Sequence, residues 1–159
     1  MSFDESFLSE LQRALDEARL EAVVVGATAA IAQGAPLMTQ DIDILIRDTP
    51  RNRAKLKRVC ERLGAAAAPI SEFVSALRLS GAKVPVDVLF DRIPGGLRFE
   101  SLRSRAVQIQ VGNVSVAFAC LEDVVRSKEA ADRPKDRLHL LHLRDTLRVK
   151  KALEKLERK

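Results

Sequence analysis

The chain has 159 residues, 47% of them hydrophobic and 31% charged, with 27 Lys and Arg against 22 Asp and Glu for a net charge of +5. That length and balance fit one domain with its own core, and they exclude both a disordered chain and a mini-domain that needs staples. With no Trp, no Tyr and six Phe, the core must be built of Leu, Val, Ile and Ala, and an aromatic platform for stacking single-stranded bases is excluded.

The chain opens acidic, in MSFDESFLSE, with no basic-then-apolar leader, and no apolar run approaches the ~18 residues of a membrane span. A soluble, cytoplasmic protein that does not contact a membrane is expected. The basic balance suits anionic partners such as nucleotides or RNA, although a solvated basic surface accounts for it equally well.

Helical spacing of Phe3, Phe7, Leu8, Leu11, Leu15 and Ala18 predicts an amphipathic helix from Ser2 to Arg19, with Ser2 and Glu5 as a capping box. Ala22 to Val25 follows as a short buried strand. At Gly26 the backbone turns sharply into a helix starting with Ala27 and Thr28, which Gly34, Ala35 and Pro36 break. The next strand is Asp41 to Ile46. Thr49 and Pro50 have the form of an N-cap and first helical residue. The helix they open has Leu56, Val59, Cys60 and Leu63 inside and Gly64 as its stop. Its outer face carries Arg51, Arg53, Lys55, Lys57, Arg58 and Arg62, a solvated face in most proteins and a phosphate-backbone dock in a minority.

Two strands, Phe73 to Leu79 and Val84 to Phe90, are joined through Ser80 to Lys83 as a hairpin. Pro85 predicts that the second begins at a sheet edge or is distorted there. Asp91 to Gly96 reads as a loop. Ala106 to Val111 and Val114 to Ala119 alternate around Gly112 and Asn113 as a second hairpin. Leu121 to Ala131 is a helix with Glu122 and Asp123 at its positive end. Pro134 starts a last helix carrying Leu138, Leu141, Leu147, Leu153 and Leu156. Cys60 and Cys120 form no C-x-x-C pair and read as buried, reduced thiols. The succession gives an α+β fold in a single domain, with a catalytic α/β core over 1–120 and C-terminal helices over 121–159.

Three acids interrupt apolar strands: Asp41 and Asp43 in DIDILI, and Asp87 in VPVDVLF. A strand alternates its side chains, so Asp41 and Asp43 point the same way. Adjacent carboxylates repel unless something positive lies between them, and a divalent metal such as magnesium or manganese meets that need. Each acid alone could face solvent from a half-exposed strand; three together are harder to explain so. About 14 residues upstream, the helix start at Gly26, Ala27 and Thr28 offers backbone N–H groups and a hydroxyl to phosphate.

G-A-T followed by T-Q-D-I-D-I-L-I, with Asp87 in V-D-V, resembles the signature of the DNA polymerase β-like nucleotidyltransferase superfamily. LEDVVRSKEAADRPKDRLHLL is similar to the C-terminal segment of its small bacterial members, including toxin-type nucleotidyltransferases. The resemblance implies a small mixed, twisted sheet packed with helices. It also implies two divalent ions (magnesium, with manganese as the alternative) held by Asp41, Asp43 and Asp87. Asp87 would assist deprotonation of the acceptor, Lys128 would contact the triphosphate, and Arg133, Lys135 and Asp136 would support it. The nucleoside triphosphate would be ATP or another; the acceptor an RNA end such as tRNA, a protein hydroxyl or a small molecule. A toxin role would bring an antitoxin or helical partner protein. Ala27 departs from the signature, where glycine or serine is commoner. The competing readings are a degenerate module that binds nucleotide or RNA without turnover, and a D-x-D glycosyltransferase. The latter needs a longer strand-helix succession before its motif than the one helix and one strand found here.

His139 and His142 lie three apart on a leucine-rich helix and read as packing or surface residues rather than a zinc site. Asp48 and Asp91 end apolar runs beside turns and are expected to cap them.

Overall fold

The computed structural model describes residues 2–158. Its elements, in chain order, are α1 (Glu5–Ala18), β1 (Val23–Val25), α2 (Gly26–Ala32), β2 (Ile42–Ile46), α3 (Pro50–Leu63), β3 (Ala66–Ser71), β4 (Val74–Ser80), β5 (Val86–Phe90), β6 (Arg92–Ile93), β7 (Leu97–Arg98), α4 (Phe99–Arg105), β8 (Val107–Val111), β9 (Val114–Phe118), α5 (Leu121–Ala131) and α6 (Pro134–Glu157). Seven strands form a mixed sheet in the order β3-β4-β5-β2-β1-β9-β8, and β6 with β7 make a small separate hairpin. This is the expected α+β architecture.

The sheet is built outward from its most apolar strands. Ile42, Ile44, Leu45 and Ile46 of β2 are at most 1% exposed, and Val23 to Val25 of β1 at most 2%. Burying each such side chain contributes about 1.5–3 kcal/mol, so these central strands anchor the core. β2 runs antiparallel to β1 and parallel to β5, whereas β1 runs parallel to β9. α1 packs on β8 and β9 and against α3; α2 packs on β1 and β2 and against α5.

Helix ends follow local chemistry. Thr49 Oγ1 accepts from Asn52 N at 3.0 Å at the start of α3, Pro50 occupies the first turn, and Gly64 closes the helix at φ 67°. At α1 the cap is Asp4, whose carboxylate accepts from Phe7 N at 2.9 Å. The expected Ser2 and Glu5 box is therefore shifted by two residues, because a carboxylate one turn before Phe7 serves the same orphan N–H groups.

Three other expectations are corrected. Pro85 does not mark an edge: β5 lies between β4 and β2, starts one residue later, and the Pro85 carbonyl accepts from Ile42 N. Proline lacks a donor but keeps its acceptor, so it fits just before an interior strand. The sheet edge on this side is β3, unread in the sequence because Ala66–Ser71 is alanine-rich and holds Pro69. The segment after Asp91 is not plain loop, since β6, β7 and α4 follow it, with Phe99 and Leu102 of α4 buried.

Of the last helix, Leu140 and Leu143 are buried, while Leu138, Leu141, Leu153 and Leu156 are exposed. Cys60 and Cys120 are buried free thiols. Among the described residues, no helix is long and apolar enough to cross a membrane.

Candidate active site

The strand register brings the three acids into one row. Asp43 on β2 is the parallel partner of Asp87 on β5, and Asp87 is the antiparallel partner of Arg78 on β4. On its other side Asp43 lies opposite Val25, the last residue before the Gly26 turn. Directly paired residues project from the same face of a sheet, and Asp41, two residues before Asp43, shares that side.

Arg78 grips this row. Its Nε donates to Asp87 Oδ1 at 2.8 Å and its Nη2 to Asp87 Oδ2 at 3.0 Å, a two-pronged pairing. The same Nη2 reaches Asp41 Oδ2 at 3.3 Å. The neighbouring acids drive the Arg78 guanidinium further toward its charged form, Asp87 most of all. The Asp43 carboxylate, in contrast, takes part in no hydrogen bond or ion pair among the described residues. Burial, then Asp87, then Asp41 push its carboxyl up from 3.8 to about 6, against the opposing pull of Lys135 and Lys128.

Gly26 completes this side of the site. It sits at φ +67°, and a Cβ there would lie 2.7 Å from Asp43 Oδ2. Only glycine lets the β1–α2 turn pass this close to the carboxylate. Ala27 follows, partly exposed, at the start of α2. Thr28 differs from expectation: it is 1% exposed, and its hydroxyl donates to the Asp41 carbonyl at 3.3 Å. It ties α2 to the residues entering β2.

A basic cluster from α5 and α6 faces the acids. Lys128 is 7% exposed and donates through Nζ to Asp136 Oδ1 at 3.3 Å. Asp136 is fully buried and also receives Arg133 N at 3.1 Å, Arg133 Nε at 2.7 Å and Arg133 Nη2 at 3.2 Å. Burial alone would raise the Asp136 pKa, but the Arg133 hydrogen bonds and the Lys128 charge bring it down to about 2. For Lys128 burial prevails and lowers its pKa, with Asp136 opposing. Lys135 is exposed, and its charge favours the ionised form of Asp43.

The donor set suits a hard divalent cation: three carboxylates share one side of the sheet, and the middle one, Asp43, has no counter-ion in contact among the described residues. As the side chains stand, however, no group of three His, Cys, Asp or Glu among the described residues converges to hold a metal. Arg78 occupies two of the three acids instead. Sequence reasoning passed over this residue. It is the one charged side chain within VSALRLS, and counting back through the β4–β5 hairpin from Asp87 would have found it.

The remaining candidates lie elsewhere in the chemistry. Asp91, at φ 65°, accepts from Asp48 N at 2.8 Å, and Asp48 pairs with Arg53 Nε at 2.7 Å, so both serve the turns they end. His139 has a buried Nδ1 without a hydrogen-bond partner, and burial followed by Lys128 and Lys135 lowers its pKa.

No protein-family profile matches the chain, and no curated protein matches it. Solved structures do. ANT(2'')-Ia in complex with adenylyl-2''-tobramycin superposes at a TM-score of 0.66 and 15% identity, over 92% of this chain and 91% of that one. The lincosamide antibiotic adenylyltransferase LnuA, lincomycin-bound, gives 0.66 and 12%, over 92% and 99%. A candidate nucleotidyltransferase from Thermotoga maritima gives 0.59 and 17%, over 94% and 92%. At such identities the likeness establishes the fold alone, which this chain shares with these adenylyltransferase and nucleotidyltransferase structures.

Proposed function

We propose that this chain, with the fold of nucleotidyltransferases and an acid row beside a glycine turn, transfers a nucleotidyl group from a nucleoside triphosphate to an acceptor hydroxyl. One observation carries the reading: Asp43 stands in paired register with Asp87 and close against Gly26, and its half-buried carboxylate has no counter-ion in contact among the described residues. A half-buried carboxylate set beside two like charges destabilises the fold, which points to a cationic ligand.

Asp41, Asp43 and Asp87 would hold magnesium or manganese. When bound, a divalent cation neutralises triphosphate charge and lowers the pKa of a nearby hydroxyl. The backbone N–H groups from Gly26 to Thr28 would receive phosphate oxygens. Asp87, steadied by Arg78, would take the acceptor's proton. Lys128 and Arg133 would meet the charge developing on the departing pyrophosphate. The size-matched neighbours, an aminoglycoside and a lincosamide adenylyltransferase, favour a small hydroxyl-bearing molecule as acceptor and ATP as donor. Transfer to tRNA or to a protein hydroxyl, the toxin-like branch of the sequence resemblance, is the second arm of the same assay.

The test is incubation with each α-labelled nucleoside triphosphate and magnesium, offering hydroxyl-rich small molecules, total tRNA or cell lysate in turn. Wild type is compared with Asp41→Ala/Asp43→Ala. Label in one acceptor class with wild type alone is the expected result. Label that survives in the double variant would overturn the reading. Magnesium-dependent nucleotide binding with no transfer to any acceptor would instead establish a binding module, which Arg78's hold on two of the acids favours.

A further inference from the structure

Arg78 stands where a cation would be needed. Its guanidinium fills the space between Asp41 and Asp87 and supplies the positive charge that those carboxylates require. The two contacts are unequal. Asp87, its side chain 15% exposed, receives both prongs at 2.8 and 3.0 Å, whereas Asp41, 40% exposed, receives one at 3.3 Å. Exposed single-point pairs contribute little and exchange readily with water, while a two-pronged pairing on a shielded carboxylate is much firmer. Arg78 is itself 43% exposed, leaving its free end room toward solvent.

We propose that Arg78 is a positioning residue that holds the acid row in its cation-free arrangement: it stays on Asp87 and gives up Asp41 when a divalent cation binds. The inference rests on the function proposed above. Its consequences are two. Asp87 stays oriented through the exchange, since each of its oxygens keeps a lone pair beyond the one Arg78 uses. And cation binding must work against a resident positive charge, so the bare ion binds more weakly than it would without Arg78, and a cation that brings partners of its own, as a metal–triphosphate complex does, fills the site more readily.

The sign of this effect separates it from a merely structural role. If Arg78 only propped Asp87 in place, its removal would loosen the donor set and weaken cation binding. If it competes with the cation, removal strengthens binding. Manganese titration by calorimetry without nucleotide, on wild type, Arg78→Gln, Arg78→Lys and Asp43→Asn, decides between them. A thermal melt in chelator and in manganese accompanies each titration. Arg78→Gln is expected to bind manganese on the order of tenfold more tightly than wild type, from the loss of one nearby positive charge. It should melt lower than wild type in chelator and gain more from the metal. Arg78→Lys keeps the charge without the fork and should fall between, and it carries the comparison should Arg78→Gln not fold.

Equal or weaker manganese binding by both Arg78 variants, with binding by wild type intact and lost in Asp43→Asn, would overturn this inference and leave the proposed function standing. If no protein of the set binds manganese, or if Asp43→Asn binds as wild type does, the acids are not a cation site. Both proposals then fall.

Discussion

Two charged clusters face each other in this protein, and they are finished to different degrees. In the α5–α6 cluster every buried charge is answered: Asp136 is covered by four donors from Arg133 and Lys128, and its pKa is drawn down to about 2. In the sheet cluster Arg78 answers Asp87 and Asp41, yet Asp43 is left half-buried beside like charges and its pKa rises to about 6. The first arrangement stabilises a helix junction. The second withholds stability at one atom group, as sites awaiting a ligand do.

The largest way to break this contrast is to unfinish the finished cluster. Asp136→Ala leaves Lys128 in a buried site with no carboxylate, and should cost about 3–5 kcal/mol in urea unfolding at neutral pH. Pairing it with Lys128→Met should recover much of that loss, because no buried charge is then stranded. A double variant as unstable as the single one would mean that the pair is not the unit.

Asp43→Asn should do the reverse. A folded-state pKa of about 6 against 3.8 means that the folded protein holds this proton more tightly than the unfolded chain. The associated stability is fully present below pH 4 and is lost as pH rises through 6, leaving a cost of about 3 kcal/mol at pH 8. In chelator, Asp43→Asn should therefore be more stable than wild type by up to that amount at pH 8, with the difference shrinking toward pH 4. Nucleotidyl transfer should be lost. Denaturant unfolding of both proteins at the two pH values checks the sign, and a variant less stable than wild type at pH 8 would refute it.

Gly26→Ala comes next, expected to cost about 1–3 kcal/mol for an alanine at positive φ, plus displacement of Asp43. A melt in chelator reads the first part, and lost manganese stabilisation reads the second. The smallest change is Ala27→Ser, which should shift stability by less than about 0.5 kcal/mol. If the α2 start receives phosphate, this added hydroxyl should lower the KM for nucleotide rather than change kcat.

Much of the sheet cluster was legible in the sequence, because its signals are local. Asp43 on β2 and Asp41 just before it share parity, Gly26 is the turn before them, and Thr49, Pro50 and Gly64 punctuate α3 as their conformational preferences require. What was hidden depends on register between distant segments. Arg78 meets Asp87 only because the β4–β5 hairpin aligns them, and Pro85 suggested an edge that β4 in fact covers. Thr28 was expected to offer its hydroxyl to phosphate, and that hydroxyl donates to the Asp41 carbonyl thirteen residues on. α4 was too short to show a helical period, and the alanines of β3 lack the β-branched bulk that signals a strand.

That last strand has a consequence for how the protein keeps to itself. β3 hydrogen-bonds within the sheet to β4 alone, so its outer backbone groups are free to template another chain, and it is exposed along most of its length. Pro69 removes one donor from the strand, and the register breaks between Pro69 and Ser71, just where Ile70 and, beyond it, Phe73 and Val74 are uncovered. A flat continuation of β3 into that apolar tip would be an aggregation seed. The proline and the irregularity beside it act as its gatekeepers, at the far end of the same hairpin whose inner strand carries Arg78.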